Sequence, residues 1–469
     1  MGSVQGENKN TERAAMPGRR AAETRPLWRV FLAFLWPMVL ANVLQSLSGT
    51  FNAVFIGQML GTHALASVSA VYPIVFFLIS LVIGIGAGAS VLIGQAWGAR
   101  EVHKVKTIAG TALALGLVLG LAVGLLGGTF AEVILRSLST PAEVYDDAVG
   151  YARVIMFAMP GLLFFILSTQ LLRGVGDTVT PLYALVVSTA VSAILTPAFI
   201  RGWGGLPRLG VTSAAAASIC AFVAALLFMG FMMRRKAHPL APDGELLRAL
   251  RIDPHILKLV ARIGLPTGLQ VIVMSLAEIA LLALINSYGA DATAAAGAVN
   301  QVVNYVQFPA LSIAITASIL GAQAIGAGQT QRLGAIAKTA QAINLVITGA
   351  LVLLAYVFSR DLIAAFITRA QVVDLAQQLL HIMLWSAVVY GSAAVLSGVM
   401  RASGVVLAPT AVSIGCIVLV ELPAAYGLSN LYGLPGVWMS YPIAFCAMLV
   451  LQTAYYQLVW RKMHIERLV

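Results

Sequence analysis

The chain has 469 residues, of which 60% are hydrophobic and only 10% are charged, and its mean hydropathy is +0.91. A soluble protein of this length needs a much larger charged share to cover its surface, so the composition excludes a soluble globular fold. The net charge of +11 would suit a nucleic-acid-binding protein, but the positions of the basic residues along the chain exclude that class as well.

Apolar runs of about 20 residues or more, long enough to cross the hydrocarbon core of a membrane, recur along the whole chain. Before them, residues 1–29 are predicted to form a polar, basic, cytoplasmic tail, in which no signal peptide is apparent. The pattern predicts an all-α integral membrane protein with twelve transmembrane helices, at 30–58, 64–93, 106–128, 150–172, 180–201, 211–233, 257–287, 293–322, 334–358, 376–400, 407–428 and 436–460.

The second half of the chain repeats the first at one constant offset. Equivalent pairs include Gly61 and Gly289, Gln95 and Gln323, Arg173 and Arg401, and Pro181 and Pro409. We therefore predict a six-helix N-lobe at 30–233, a cytoplasmic linker at 234–256, a six-helix C-lobe at 257–460, and a cytoplasmic tail at 461–469. Because each half has an even number of spans, the repeats are parallel and related by an axis along the membrane normal. Two such lobes around a central cavity are typical of a transporter.

Most of the 29 Lys and Arg residues lie in the N-terminal tail, in the linker and in the loops on the same side of the membrane. The positive-inside rule places these segments, and both termini, in the cytoplasm. The linker contains prolines, a glycine and a short Leu pattern between charges, and is interpreted as a tether with an amphipathic turn at the membrane surface. The basic excess thus reports topology, and no nucleic-acid partner is expected.

Motifs of soluble enzymes are absent from the sequence: there is no GxxxxGK[ST], no HExxH and no GxSxG. The glycines of the segment 84–89 lie in the middle of a span, so Gly84 and Gly88 predict close helix packing and not a dinucleotide site. Cys220, Cys416 and Cys446 stand alone in apolar spans and are interpreted as small buried side chains. We expect no enzymatic activity, no cofactor and no metal site.

Several motifs resemble those of the multidrug and toxic compound extrusion (MATE) family. They are NVLQSLSGTFNAVFIG (42–57), GQAWGA (94–99) and QLLRGVGDTVTP (170–181), with AQAIGAG (322–328) and MRASGVVLAP (400–409) in the second half. The resemblance covers nearly the whole chain. It implies a secondary-active exporter of the cytoplasmic membrane, with two helical bundles and a V-shaped cavity, that exchanges an organic substrate for protons or sodium ions.

Glycines and charged residues at the cytoplasmic helix ends are expected to shape an inner gate. The glycines permit close approach of backbones, and the arginines satisfy helix carbonyls or meet an acidic side chain or lipid phosphate. The residues assigned to this structural role are Gln170, Arg173, Gly174, Asp177 and Arg401.

The sequence departs from the MATE pattern at the titratable positions of the N-lobe. Where proton-coupled bacterial members carry aspartates, this chain has Asn52 and Thr196, and neither takes up a proton near neutral pH. Two carboxylates remain at depth in the C-lobe, Glu278 and Glu421. Because ionisable groups inside a membrane are costly, both are candidates for coupling to the driving ion; the alternative is that each pairs with a neighbouring donor and joins two helices.

Polar amides follow one face of the predicted eighth span, at positions spaced to face protein or water and not lipid. Together with amides in span one and the two neutral N-lobe positions, they are predicted to line the substrate cavity. The cavity residues are Asn42, Gln45, Asn52, Thr196, Asn300, Gln301, Asn304 and Gln307.

We therefore expect a monomeric antiporter of the cytoplasmic membrane that contacts lipids and exports organic, amphipathic or cationic compounds. The driving ion is H⁺ or Na⁺. One alternative is a flippase of the wider superfamily that moves a lipid-linked or polyanionic cargo, which would require arginines in the cavity. A passive channel and a membrane-embedded enzyme are further alternatives, the second requiring a cluster of catalytic side chains.

Overall fold

The computed structural model describes residues 26–137, 142–367 and 369–469, so most of the predicted N-terminal tail, residues 1–25, lies outside the described residues. Throughout these ranges the chain is helical and contains no strand. The first half comprises α1 (Leu27–Leu60), α2 (Thr62–Gly98), α3 (Val102–Ser137), α4 (Tyr145–Val175), α5 (Val179–Arg201) and α6 (Ser213–Arg235).

A short linker helix, α7 (Gly244–Arg248), separates these helices from the second half. The second half comprises α8 (Pro254–Asn286), α9 (Ala290–Gly326), α10 (Arg332–Val357), α11 (Ser359–Ala364), α12 (Ala370–Met383), α13 (Ser386–Ala402), α14 (Leu407–Cys416), α15 (Leu422–Tyr432) and α16 (Leu434–Leu458). A π-helical segment, Ile417–Glu421, joins α14 to α15 within one continuous span.

The number of predicted spans is confirmed. Among the described residues, 11 helices are long and apolar enough to cross a membrane, and a bent pair supplies the twelfth crossing. That pair is α12 and α13, which meet at an angle of 41° where the sequence predicted one continuous span at 376–400.

The twofold repeat is confirmed by the matching geometry of the two halves. Helices α2 and α9 are both 37 residues long and begin after equivalent glycines, Gly61 and Gly289. These glycines have φ values of 90° and 100° with extended ψ, a backbone conformation essentially confined to glycine. The same tight turn therefore connects the first two spans of each lobe.

Close glycine packing holds α2 of the N-lobe against α8 of the C-lobe. A Cβ atom added at Gly84 would lie 2.4 Å from the carbonyl oxygen of Gly264, and one added at Gly88 would lie 2.7 Å from that of Val260. No side chain fits between these backbones. The predicted role of Gly84 and Gly88 in helix packing is thus confirmed, and the partner is the opposite lobe.

The linker differs from the predicted tether because it is docked on the N-lobe. Lys106 of α3, only 8% exposed, donates to Asp243 at 2.6 Å and to Glu245 at 2.5 Å. Asp243 also accepts from the backbone N–H of Leu246 at 2.8 Å and so caps α7, which turns Leu246 into the protein. The backbone of Ala249 passes so close to Gly110 that a Cβ there would lie 2.0 Å from its carbonyl oxygen.

Candidate functional site

A polar cavity of about 220 Å³ lies within the C-lobe, between α8, α9 and the last two spans. Both predicted carboxylates, Glu278 and Glu421, line it, although they come from different helices. Three amides of α9 complete its polar wall: Asn300, Asn304 and Gln307. The remaining lining residues are Gln270, Met274, Ala277, Leu281, Leu282, Ile285, Val303, Leu311, Met383, Tyr390, Ile417, Tyr441, Phe445 and Met448.

A break in helix geometry presents Glu421 to this cavity. Pro423 has no N–H and cannot continue the regular hydrogen-bond ladder, and the residues just before it, Ile417–Glu421, form a π-helical turn. Such turns occur frequently at functional sites because they redirect a side chain without ending the helix. Glu421 is only 5% exposed in this position.

Neither carboxylate has a compensating partner from the protein. Among the described residues, neither Glu278 nor Glu421 forms a hydrogen bond or an ion pair, and no Lys or Arg lines the cavity. Glu421 is buried, and an uncompensated charge away from water is costly, so its carboxylate requires a proton or an external cation; Glu278 is more exposed and faces the same cavity.

Gln301 is the exception within the polar stripe of α9. Its side chain turns to the seam between the lobes, where its Nε2 atom lies 3.5 Å from the hydroxyl of Ser46. Nearby, Asn42 of α1 donates to Ser312 of α9 at 3.2 Å, also across the seam. Three of the four α9 amides therefore line the C-lobe cavity and the fourth, Gln301, faces the seam between the lobes, because the polar face of α9 is wider than the cavity. Gln45 lies one turn beyond Asn42 on α1 and is exposed.

The N-lobe holds a neutral polar cluster at the positions where the sequence departs from the MATE pattern. The Oδ1 atom of Asn52 accepts hydrogen bonds from Thr196 at 3.2 Å and from Ser192 at 3.3 Å. Ser192 is a partner that sequence reasoning missed, although it lies one helical turn before Thr196 on α5. None of the three side chains carries a charge.

At one end of the molecule the lobes meet in a reciprocal contact, formed by Gln95, Gln323 and the chain segments they touch and here called the inner gate after the cytoplasmic position that the sequence predicts for it. Gln95 of α2 donates to the carbonyl of Ala402 at 2.9 Å, and Gln323 of α9 donates to that of Gly174 at 3.0 Å. Ala402 and Gly174 are equivalent in the repeat, so the two bonds are related by its symmetry. Gln95 and Gln323 lie in two of the motifs that resemble the MATE family, but the sequence alone does not assign them to a site.

Two glycines allow the inner gate to close. A Cβ added at Gly98 would lie 2.1 Å from the carbonyl oxygen of Gln323, and one added at Gly326 would lie 1.8 Å from that of Gln95. Helices α2 and α9 therefore touch backbone to backbone at their ends, and the molecule is closed there.

The charged motif residues support the helix ends around the inner gate. Arg173 donates to Gln170 at 3.1 Å, whereas Asp177 accepts from the backbone N–H groups of Val179 and Thr180, so the acidic side chain caps α5. In the second half, the Nε atom of Arg401 is buried and has no hydrogen-bond partner among the described residues. Across residues 26–137, 142–367 and 369–469, no group of three or more His, Cys, Asp or Glu side chains is arranged to hold a metal ion.

Two six-helix lobes, a closed gate at one end and an acidic cavity at depth in one lobe define a two-lobed membrane carrier. The sequence pattern of the MatE family matches residues 37–198 and 266–426, one match in each lobe. This chain belongs to the MATE family of secondary transporters, and it is a multi-pass membrane protein.

Individual relatives agree with this assignment. The chain is 42% identical to the "Probable multidrug resistance protein YoeA" of Bacillus subtilis, over 94% of this chain and 96% of the relative. It is 26% identical to a protein of Shewanella oneidensis named "FAD transporter", over 91% of this chain and 94% of the relative. Its fold matches the crystal structure of a mutant of the Vibrio cholerae MATE transporter VcmN with a TM-score of 0.86 at 20% identity, covering 94% and 98% of the two chains.

Proposed function

We propose that this transporter exports organic cations across the cytoplasmic membrane in exchange for protons or sodium ions, and that Glu278 and Glu421 carry the coupling. One observation supports this most strongly: both carboxylates line one cavity of the C-lobe and have no basic partner among the described residues. The N-lobe cluster of Asn52, Ser192 and Thr196 is neutral and has no titratable group with which to carry a proton.

The exchange follows from competition for the same negative charge. When the carboxylates hold H⁺ or Na⁺, they offer no charge to an organic cation, and the substrate leaves. When the ion departs, the cavity regains its charge and the cation binds against the amides of α9 and the aromatic rings of Tyr390, Tyr441 and Phe445. Antiport requires this exclusion together with access from one side at a time.

Alternating access is assigned to movement of the two lobes about the inner gate. The basic residues of the linker and of the loops beside the gate favour a cytoplasmic position for the gate and for both termini. With the gate closed, the conformation described above would be the outward-facing one. Opening requires rupture of the Gln95 and Gln323 bonds and separation of the glycine contacts.

The second candidate function is movement of a polyanionic cargo, and the relative named "FAD transporter" favours it. A flavin dinucleotide carries negative phosphates, which require basic residues for binding. The C-lobe cavity instead has two carboxylates and no Lys or Arg among its lining residues. Its charge therefore favours an organic cation.

Reconstitution in liposomes tests the proposal. Vesicles loaded with a fluorescent organic cation receive a proton gradient, a sodium gradient, or neither, with the membrane potential clamped in all three cases. We expect one of the two gradients to drive uphill movement of the cation. Equal movement under all three conditions would show a passive channel, and movement of FAD but not of the cation would establish the alternative cargo.

A further inference from the structure

The residues that follow α16, Met463–Val469 (the terminal segment), lie across the inner gate and contact both lobes. The backbone N–H of Leu468 donates to the Oε1 atom of Gln95 in the N-lobe at 2.8 Å. The side chain of Leu468 packs on the C-lobe turn at Gly404, where an added Cβ would lie 2.7 Å from its Cδ1 atom. Arg467 forms an ion pair with Glu101, which is in the loop after α2.

The turn just before the terminal segment is anchored to the C-lobe. Trp460, 3% exposed, donates from its indole Nε1 to the hydroxyl of Ser403 at 2.9 Å. Beyond it, the segment forms one wall of a cleft whose other walls are Leu259, Arg262 and Ile263 of α8 and the turn 403–405. The contacts of Leu468 with Gln95 and of Arg467 with Glu101 therefore join a C-lobe segment to the N-lobe.

This contact breaks the symmetry of the inner gate. Gln95 uses both ends of its amide, donating to Ala402 and accepting from Leu468. Its counterpart Gln323 donates to Gly174 but forms no hydrogen bond with the terminal segment among the described residues. Gln95 is fully buried, so its amide has no access to water while the gate is closed. Separation of the terminal segment from Gln95 would leave this carbonyl without the Leu468 donor.

We propose that the terminal segment is a latch that stabilises the closed inner gate, and that Gln95 is the positioning residue through which it acts. The latch goes beyond the proposed function and rests on it only in assuming that the gate opens and closes. A latch on the gate sets the ratio of closed to open states, and hence the rate at which the transporter returns to collect substrate, without contact with substrate or driving ion.

Substitution of Leu468 by proline tests the central contact in the full-length protein. Proline has no N–H, so Leu468→Pro removes the donor to Gln95 at a position outside any helix. The matched control is Glu466→Pro in the same segment, whose side chain is exposed. Spin labels at the exposed positions His103 and Gln331, beside the gate on opposite lobes, report opening by pulsed electron paramagnetic resonance, after replacement of the native cysteines.

We expect Leu468→Pro to raise the open-to-closed ratio about fivefold, the effect of one lost buried hydrogen bond, and Glu466→Pro to leave it unchanged. Equal distance distributions for Leu468→Pro and the unsubstituted protein would overturn the latch. An equal shift in both proline variants would also overturn it, because the effect would then come from any disturbance of the segment.

A charge exchange provides an independent second test. Arg467→Glu places two acidic residues together and should favour the open gate, and the double variant Arg467→Glu with Glu101→Arg should restore the closed gate. Failure of the double variant to restore it would count against the latch, because Arg467 makes one of the two contacts that join the terminal segment to the N-lobe. The labels report the gate without substrate or ion gradient, so these results stand even if Glu278 and Glu421 do not carry the coupling.

Discussion

Neutralising the two cavity carboxylates should lower the limit of substrate accumulation in steps. A tenfold gradient of a monovalent coupling ion supplies about 1.4 kcal/mol per ion exchanged when the membrane potential is clamped. If Glu278 and Glu421 each carry one ion per cycle, the limit is about a hundredfold accumulation at steady state. With one carboxylate replaced by glutamine the limit falls to about tenfold, and with both replaced it falls to about one.

The assay is the steady-state ratio of a fluorescent organic cation across proteoliposome membranes under a fixed, tenfold gradient of the driving ion. Glutamine preserves the size of the side chain, so Glu278→Gln and Glu421→Gln change charge at constant volume. The conservative variants Glu278→Asp and Glu421→Asp serve as controls and should retain two-ion coupling. Substrate exchange down its own gradient, measured in parallel, identifies the variants that are folded and still move substrate, and only these are compared.

The accumulation ratios of the single and double variants show how the two carboxylates divide the driving ions between them. A loss of all accumulation in each single variant would mean that both carboxylates share one ion. Accumulation at the unsubstituted level in the double glutamine variant would refute the reasoning, because no charge of the C-lobe cavity would then be required for coupling.

The remaining predictions concern the gate and the linker. Gly98→Val should hold the gate open and reduce transport at least tenfold, because its Cβ would lie 2.1 Å from the carbonyl oxygen of Gln323. The control in both the spin-label and the transport assay is Gly334→Ala, since no atom lies within 4 Å of the Cβ added there. Lys106→Gln should release the linker and speed tryptic cleavage within residues 244–253 several-fold, whereas cleavage in the unsubstituted protein at that rate would disprove docking. The hydrogen bond from Lys106 holds the pKa of Asp243 below its usual range. The contribution of the ionised Asp243 to docking is therefore fully present above the unfolded pKa of about 3.9, and it is lost only as the pH falls through the lower pKa of the folded protein. Cleavage by proteases active at each pH should therefore stay slow from about pH 8 to pH 5.

Sequence reasoning proposed the carboxylates and the amides as site residues, but it could not show which of them line one cavity. Spacing along α9 shows which amides share a face, yet only packing shows that the face meets two environments and that Gln301 contacts the lobe seam. Glu278 and Glu421 lie far apart in the chain, and the π-helical turn before Pro423 determines where Glu421 points. The linker has the composition of a flexible tether, and only its contact with the buried Lys106 shows that it is docked.

The sequence by itself determined the membrane-spanning all-helical fold, the twelve crossings, the twofold repeat and the family. These properties follow from local composition and from comparison of the chain with itself, because a bilayer requires long apolar helices whatever their arrangement. The tertiary structure alone decided the acidic C-lobe cavity, the neutral Asn52 cluster, the reciprocal gate and the position of the terminal segment. Each of these depends on contacts between helices distant in sequence, where small residues such as Gly98 and Gly326 set how closely the backbones approach.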